Sequence, residues 1–226
     1  AVGPFDVVGA DLDGDGDIDI IASSNDDKIV WFANNGSESF TLNTISSTID
    51  KPTGLHVSDL GQDGDKDIVV ASYDGDKISY FDNNGSQSFT ERTVASGSSN
   101  VNGPMYVDVA DVDGDGQLDI ISASWDDDKV NWYENTTAAP GTPTFTAADI
   151  STSANGADGV FAIDLDSDGD IDVLSASYID DKIAWYENDG AANPSFTAAT
   201  IATSADNAKH VTAADMDNDG DIDVIS

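Results

Sequence analysis

A nine-residue pattern, Asp-x-Asp-x-Asp-Gly-Asp-x-Asp, holds most of the side chains in this sequence that could do chemistry, and it occurs five times. The first copy aligns Asp11, Asp13, Asp15, Asp17 and Asp19, and the third Asp111, Asp113, Asp115, Gln117 and Asp119. The fourth has Asp164, Asp166, Asp168, Asp170 and Asp172, and the fifth Asp215, Asp217, Asp219, Asp221 and Asp223. The second keeps Asp59, Asp63, Asp65 and Asp67 but carries Gly61 at position three and Lys66 at position eight. Position six is glycine in every copy, which permits the sharp reversal that turns carboxylates on either side of it toward one point. Carboxylates at positions one, three, five and nine, with a backbone carbonyl at seven, suit the shell of about six to eight oxygens at about 2.3–2.6 Å that calcium takes. Magnesium asks for a stricter octahedron and retained waters. A position that lends only its backbone tolerates a changed side chain, and Gln117 at position seven is such a change. Up to five calcium ions are therefore expected, with the Asp59–Asp67 loop the weakest or vacant.

The rival explanation is an acidic surface that only solvates the chain, as in salt-adapted proteins. The odd motif positions hold 23 of the 44 acidic residues, and solvation does not require that registration. Without a cation, two carboxylates about 5 Å apart repel by roughly 3 kcal/mol at an effective dielectric of about 20, so an empty loop is expected to splay or protonate. An EF-hand would need Glu at position twelve and flanking helices, whereas position twelve of the first copy is Ala22 within an apolar run. Tandem nine-residue calcium rolls fail because these loops lie about fifty residues apart.

Composition narrows the remaining chemistry. The net charge of −36, from 44 acids against seven Lys and the single Arg92, repels nucleic acid and anionic lipid. No apolar run approaches the roughly 20 residues that span a bilayer, so no membrane insertion is expected. Ala1 to Asp6 lack the basic start and apolar stretch of a secretory signal. There is no cysteine, and the two histidines, His56 and His210, sit just ahead of the second and fifth loops, where they are expected as core or blade-edge residues. With the carboxylates assigned to metal, no acid and base pair is left for proton transfer, and the chain is read as a non-enzyme.

The loops need elements to hold them. Successive copies are 48, 52, 53 and 51 residues apart, which suits propeller blades better than shorter solenoid repeats. Within each unit an apolar stretch, the acidic loop, a β-branched run, a polar turn, an aromatic run, a second turn and a Phe-Thr segment follow one another, giving four strands. In the first unit these are Asp6 to Ala10, Ile18 to Ser23, Lys28 to Ala33 and Ser39 to Ile45. Asn35-Gly36, Asn84-Gly85 and Asp189-Gly190 are tight-hairpin dipeptides between the third and fourth strands, and the third unit has Thr136 to Pro143 there instead. The pairs Trp31-Phe32, Tyr80-Phe81, Trp132-Tyr133 and Trp185-Tyr186 place one ring on each face of a strand, as stacked sheets require; sugar-stacking pockets are the alternative. The chain reads as all-β: a single β-propeller-type region of four-stranded antiparallel blades, with units at about 1–50, 51–100, 101–153, 154–204 and a partial 205–226. Since only Val224 to Ser226 follow the fifth loop, a segment of a longer propeller or array is expected.

In spacing, loop and strand order the chain resembles the FG-GAP and VCBS-type repeat family, as in the run from Val7 to Ile21. The resemblance extends over essentially the whole chain, although the Phe-Gly and Gly-Ala-Pro elements behind the family name are not clear, which favours a bacterial-type branch. It implies calcium loops between first and second strands in a secreted or surface protein used in adhesion, in glycan binding or beside polysaccharide-acting enzymes. Glycans and cell-surface proteins are the partners it suggests, whereas the unfinished last blade, completed by further sequence or by another chain, points to copies of this chain assembling into an extracellular filament or surface layer. An extracellular or cell-surface location agrees with weak calcium sites, which resting cytosol leaves empty. Asn35-Gly36-Ser37, Asn84-Gly85-Ser86 and Asn135-Thr136-Thr137 match glycosylation acceptors, but hairpin chemistry explains the first two. The Asp-Lys pairs at 27–28, 76–77, 128–129 and 181–182 read as turn and edge-strand devices.

Overall fold

The structure, a computed structural model, describes residues 3–226, and every regular element among them is a strand. Each unit folds into its own antiparallel sheet, with strands side by side in chain order. The first contains β1 (Pro4–Ala10), β2 (Asp19–Ser24), β3 (Lys28–Asn34) and β4 (Phe40–Ser46). The second contains β5 (Pro52–Ser58), β6 (Asp67–Ser72), β7 (Lys77–Asn83) and β8 (Phe89–Ser96). β9 (Pro104–Ala110), β10 (Asp119–Ser124), β11 (Lys129–Asn135) and β12 (Phe145–Ser151) form the third. β13 (Ala157–Ile163), β14 (Asp172–Ser177), β15 (Lys182–Asn188) and β16 (Phe196–Ala202) form the fourth, and β17 (Thr212–Ala214) pairs with β18 (Asp223–Ile225). These are blade units, and the strand limits expected for the first unit fall within two residues of those observed.

The chain divides into two compact units, one running to Pro104 and including Thr137–Pro143, the other comprising Met105–Thr136 and Thr144–Ser226. In the first, sheets one and two pack face to face over Leu12, Ile21, Trp31, Leu55, Ile68 and Phe81. In the second, sheets three and four close over Trp132, Val160, Val173 and Tyr186, and sheet four and the final strand pair over Leu174, Ile183 and Val211. Strands β6, β10 and β14 are buried at every residue. Trp31, Tyr80, Phe81, Trp132, Tyr133 and Tyr186 are each 3% exposed or less, so the aromatic pairs are packing residues there; Phe32 and Trp185 are partly open.

Two turn families differ in mechanism. The third-to-fourth-strand hairpins of the first two sheets are five-residue connections, not the two-residue turns that their Asn-Gly dipeptides suggest. Asn35 Oδ1 accepts from Ser37 N and Ser39 N, and Glu38 takes φ 62°, so side-chain bonding carries the chain around a wider bend. In the Asp-Lys turns, Asp27, Asp76, Asp128 and Asp181 all adopt positive φ. Their Oδ1 atoms accept from Lys51 N, Gly103 N, Gly156 N and Asn207 N at 2.8–3.1 Å. Each such aspartate fastens the end of its own sheet to the connection that leads into the next.

Candidate metal centres

Each acidic loop joins the first strand of its sheet to the second, and its curvature comes from the glycine at position six, with φ between 90° and 101° in all five copies. That glycine's N–H donates to the position-one carboxylate, at 2.9–3.1 Å, on Asp11, Asp59, Asp111, Asp164 and Asp215. The position-five carboxylates Asp15, Asp63, Asp115, Asp168 and Asp219 accept the N–H two residues on, which tightens the second half of the loop.

Four carboxylate triads result: Asp11, Asp13 and Asp15; Asp111, Asp113 and Asp115; Asp164, Asp166 and Asp168; and Asp215, Asp217 and Asp223. Within each, one oxygen per residue lies within 4.8 Å of the others. Two oxygens bound to one calcium at about 2.4 Å can be no more than about 4.8 Å apart, so the spacing admits that ion. The donors are all hard oxygens. Asp13 Oδ1 and Asp111 Oδ1 are shut off from water and accept no hydrogen bond, the condition of a ligand atom directed at a cation. Burial first, then the charges of Asp15 and Asp19, raises the Asp13 carboxyl above its ordinary value; burial first, and the charges of Asp115 and Asp111, does so for Asp113. Among the described residues, the second loop forms no such triad, in line with Gly61 at its third position.

Positions seven and nine have other company. A β-carbon on Gly36, Gly85 or Gly190 would collide with the carboxylates of Asp17, Asp65 or Asp170, so the position-seven side chain lies against the neighbouring hairpin. Gln117 stands where the third hairpin has Thr137 in place of that glycine. At position nine, Asp19, Asp67, Asp119 and Asp172 are staples. Their Oδ2 atoms accept from Leu12, Leu60, Val112 and Leu165 N at 3.1–3.2 Å, and their Oδ1 atoms from Asn34, Asn83, Asn135 and Asn188 N at 2.7–2.9 Å. Burial lifts the Asp67 and Asp119 carboxyls to about 7 despite these bonds. Asp223 accepts from Met216 N and also joins its triad. Of the five residues expected in the fifth loop, Asp219 and Asp221 lie outside the triad.

The asparagines that close the third strands, Asn34, Asn83, Asn135 and Asn188, recur at one place in all four complete units, a repetition that marks them in the sequence without revealing their partners. Their Nδ2 groups donate to the position-eight carbonyls of Ile18, Lys66, Leu118 and Ile171 at 2.9–3.2 Å. Asn83 also reaches Leu12 O and Asn188 reaches Val112 O, each on the preceding sheet of its unit. Of the histidines, His210 is exposed against the Tyr106 ring at 5.4 Å and His56 is partly buried in β5. Arg92 pairs with Asp82 at 2.7 Å.

The family model for the FG-GAP-like repeat matches residues 11–70, 59–122, 111–175 and 164–226. No curated protein matches the chain in sequence. Among solved structures, the rhamnogalacturonan lyase YesW and the Bacillus licheniformis rhamnogalacturonan lyase PL11 are each similar at TM-score 0.55 and 14% identity, over 99% of this chain and 55% of theirs. The V. cholerae biofilm matrix protein Bap1 is similar at TM-score 0.43 and 19% identity, over 86% of this chain and 38% of its own. The chain thus spans about half the length of the lyases it matches, and at this identity the likeness is one of fold.

Proposed function

Because the chain belongs to the FG-GAP-like repeat family, we propose that it is a calcium-binding, extracellular structural or adhesive module rather than a catalyst. The observation that carries this is the set of four carboxylate triads, two of them with a buried oxygen that nothing in the protein satisfies. Bound calcium supplies positive charge that offsets the clustered carboxylates. The loops then hold the first and second strands of each sheet at a fixed separation, while the position-nine aspartates tie the same loops to the third strands. Millimolar calcium outside cells suits sites of this open, oxygen-only kind.

Titration of chelator-stripped protein with calcium, followed by calorimetry and thermal melting, tests the proposal. One site held about 100-fold above its dissociation constant adds about 2.7 kcal/mol, which in a chain of this size raises the melting temperature by about 5–10 °C. Asp13→Asn is expected to remove one bound ion and that site's share of the gain. No heat and no change in melting would refute calcium binding. A second reading, glycan binding, draws on Trp125 and Tyr178, whose partly exposed rings lie 5.0 Å apart beside the strand turns of the second unit. Retention on uronic-acid or neutral polysaccharides without chain cleavage, lost on Trp125→Ala, supports it; cleavage would instead make the chain an enzyme.

A further inference from the structure

The second repeat departs from the pattern at Gly61 and the third in the length of its hairpin, and the structure joins these two departures. The third hairpin spans residues 136–144, against 35–39 and 84–88 in the first two sheets. Its base is closed by Thr136 N on Thr144 O at 2.9 Å. The tip, Thr137–Pro143, belongs to the same compact unit as the second acidic loop. There Gly141 N donates to Gly61 O at 3.1 Å, and the Tyr80 hydroxyl donates to Pro143 O at 3.3 Å.

Gly61 is buried, and its φ lies outside the left-handed region, so the backbone does not call for glycine. The neighbour does: a β-carbon at position 61 would lie 3.0 Å from the Gly141 carbonyl oxygen, the nearest atom to it. That oxygen occupies the space into which a position-three carboxylate would extend. The loop is also less negative than the first by two charges, with one carboxylate fewer and the Lys66 ammonium added. Tyr80, moreover, stands where the other three units have tryptophan, and its hydroxyl is what reaches the strap.

We propose that the second acidic loop is a docking site for the strap Thr137–Pro143 and not a metal site, the strap's backbone bracing there what a divalent cation braces in the other four loops. This rests on the calcium reading of those four loops for its contrast, but the docking itself can be measured without metal.

Two measurements on the full chain decide it. Calorimetric titration with calcium is expected to count four ions; a fifth ion in the wild-type chain overturns the proposal. Amide exchange in the presence of chelator is expected to show Gly141 protected in the wild type, and exchange at least about tenfold faster in Gly61→Asp. Tyr80→Phe, which removes one hydroxyl and introduces no clash, is expected to speed the same amide. An unprotected Gly141 beside a protected Val69, or a Gly141 rate that neither variant changes, overturns docking. If no ion binds at all, the calcium reading fails and the exchange result alone judges the strap. If chelation loosens the sheets, the ion count judges it.

Discussion

Asp158 lies in β13 with its side chain buried, and its Oδ2 is sealed from water without a hydrogen-bond partner. Burial raises its carboxyl to about 6, partly offset by the charge of Lys209. The folded value stands above the unfolded one, so the native chain keeps a proton that the unfolded chain releases. The associated stability is whole below about pH 4 and is lost as pH rises to about 6. Asp158→Asn is therefore expected to stabilise the protein at pH 8 by on the order of 2 kcal/mol and to flatten that part of the profile, as read by urea denaturation across pH. Asp67 and Asp119, lifted by burial to about 7, act in the same direction. Chelated protein should accordingly melt higher near pH 5 than near pH 8. Two carboxylates outside the loops also have specific work. Asp6 Oδ2 accepts from Leu55 N and Asp108 Oδ2 from Ala162 N, both at 2.8 Å and both from one sheet to the next, so salt adaptation is not needed to account for them.

Among the elements, the junction of loop, third strand and hairpin is the joint on which each sheet depends. Asn188 is 3% exposed; it donates to Val112 O at 2.8 Å and Ile171 O at 2.9 Å and accepts from Gly190 N. Asn188→Ala strands the buried Val112 carbonyl and takes a donor from the half-buried Ile171 carbonyl, and is expected to cost about 2–3 kcal/mol in urea denaturation with calcium present. Asn34 makes the same local bonds from a partly exposed position. Asn34→Ala should cost less, about 1 kcal/mol, because water replaces the lost partners. The hairpins were legible as turns from Asn-Gly and Asp-Gly, but their width was not, since it follows from side-chain bonds that a dipeptide preference does not encode.

For the whole molecule the governing quantity is a net charge of −36 carried on 226 residues. Screening by salt relieves like-charge repulsion, and calcium bound in the loops as proposed would relieve much of the same repulsion. The chelated chain is thus expected to gain several degrees of melting temperature between about 20 mM and about 0.5 M sodium chloride, and the calcium-loaded chain to gain clearly less. The surface ion pairs, such as Lys129 with Asp149 and Lys182 with Asp180 at 3.0 Å, are too few and too wet to alter that balance. From sequence alone came the four-strand units, the placement of the acidic loops between first and second strands, and the turn glycine at position six. Those properties depend on residues close together in the chain, where alternation, turn chemistry and ligand spacing act directly. Tertiary structure alone decided which carboxylates gather into triads and which staple the backbone, that the Gly141 carbonyl crowds position 61, and that Asp158 is buried with an unpartnered oxygen. Such distinctions depend on groups far apart in the chain, 63 residues from Tyr80 to Pro143 and 71 from Asn83 to Leu12, whose meeting no local pattern records.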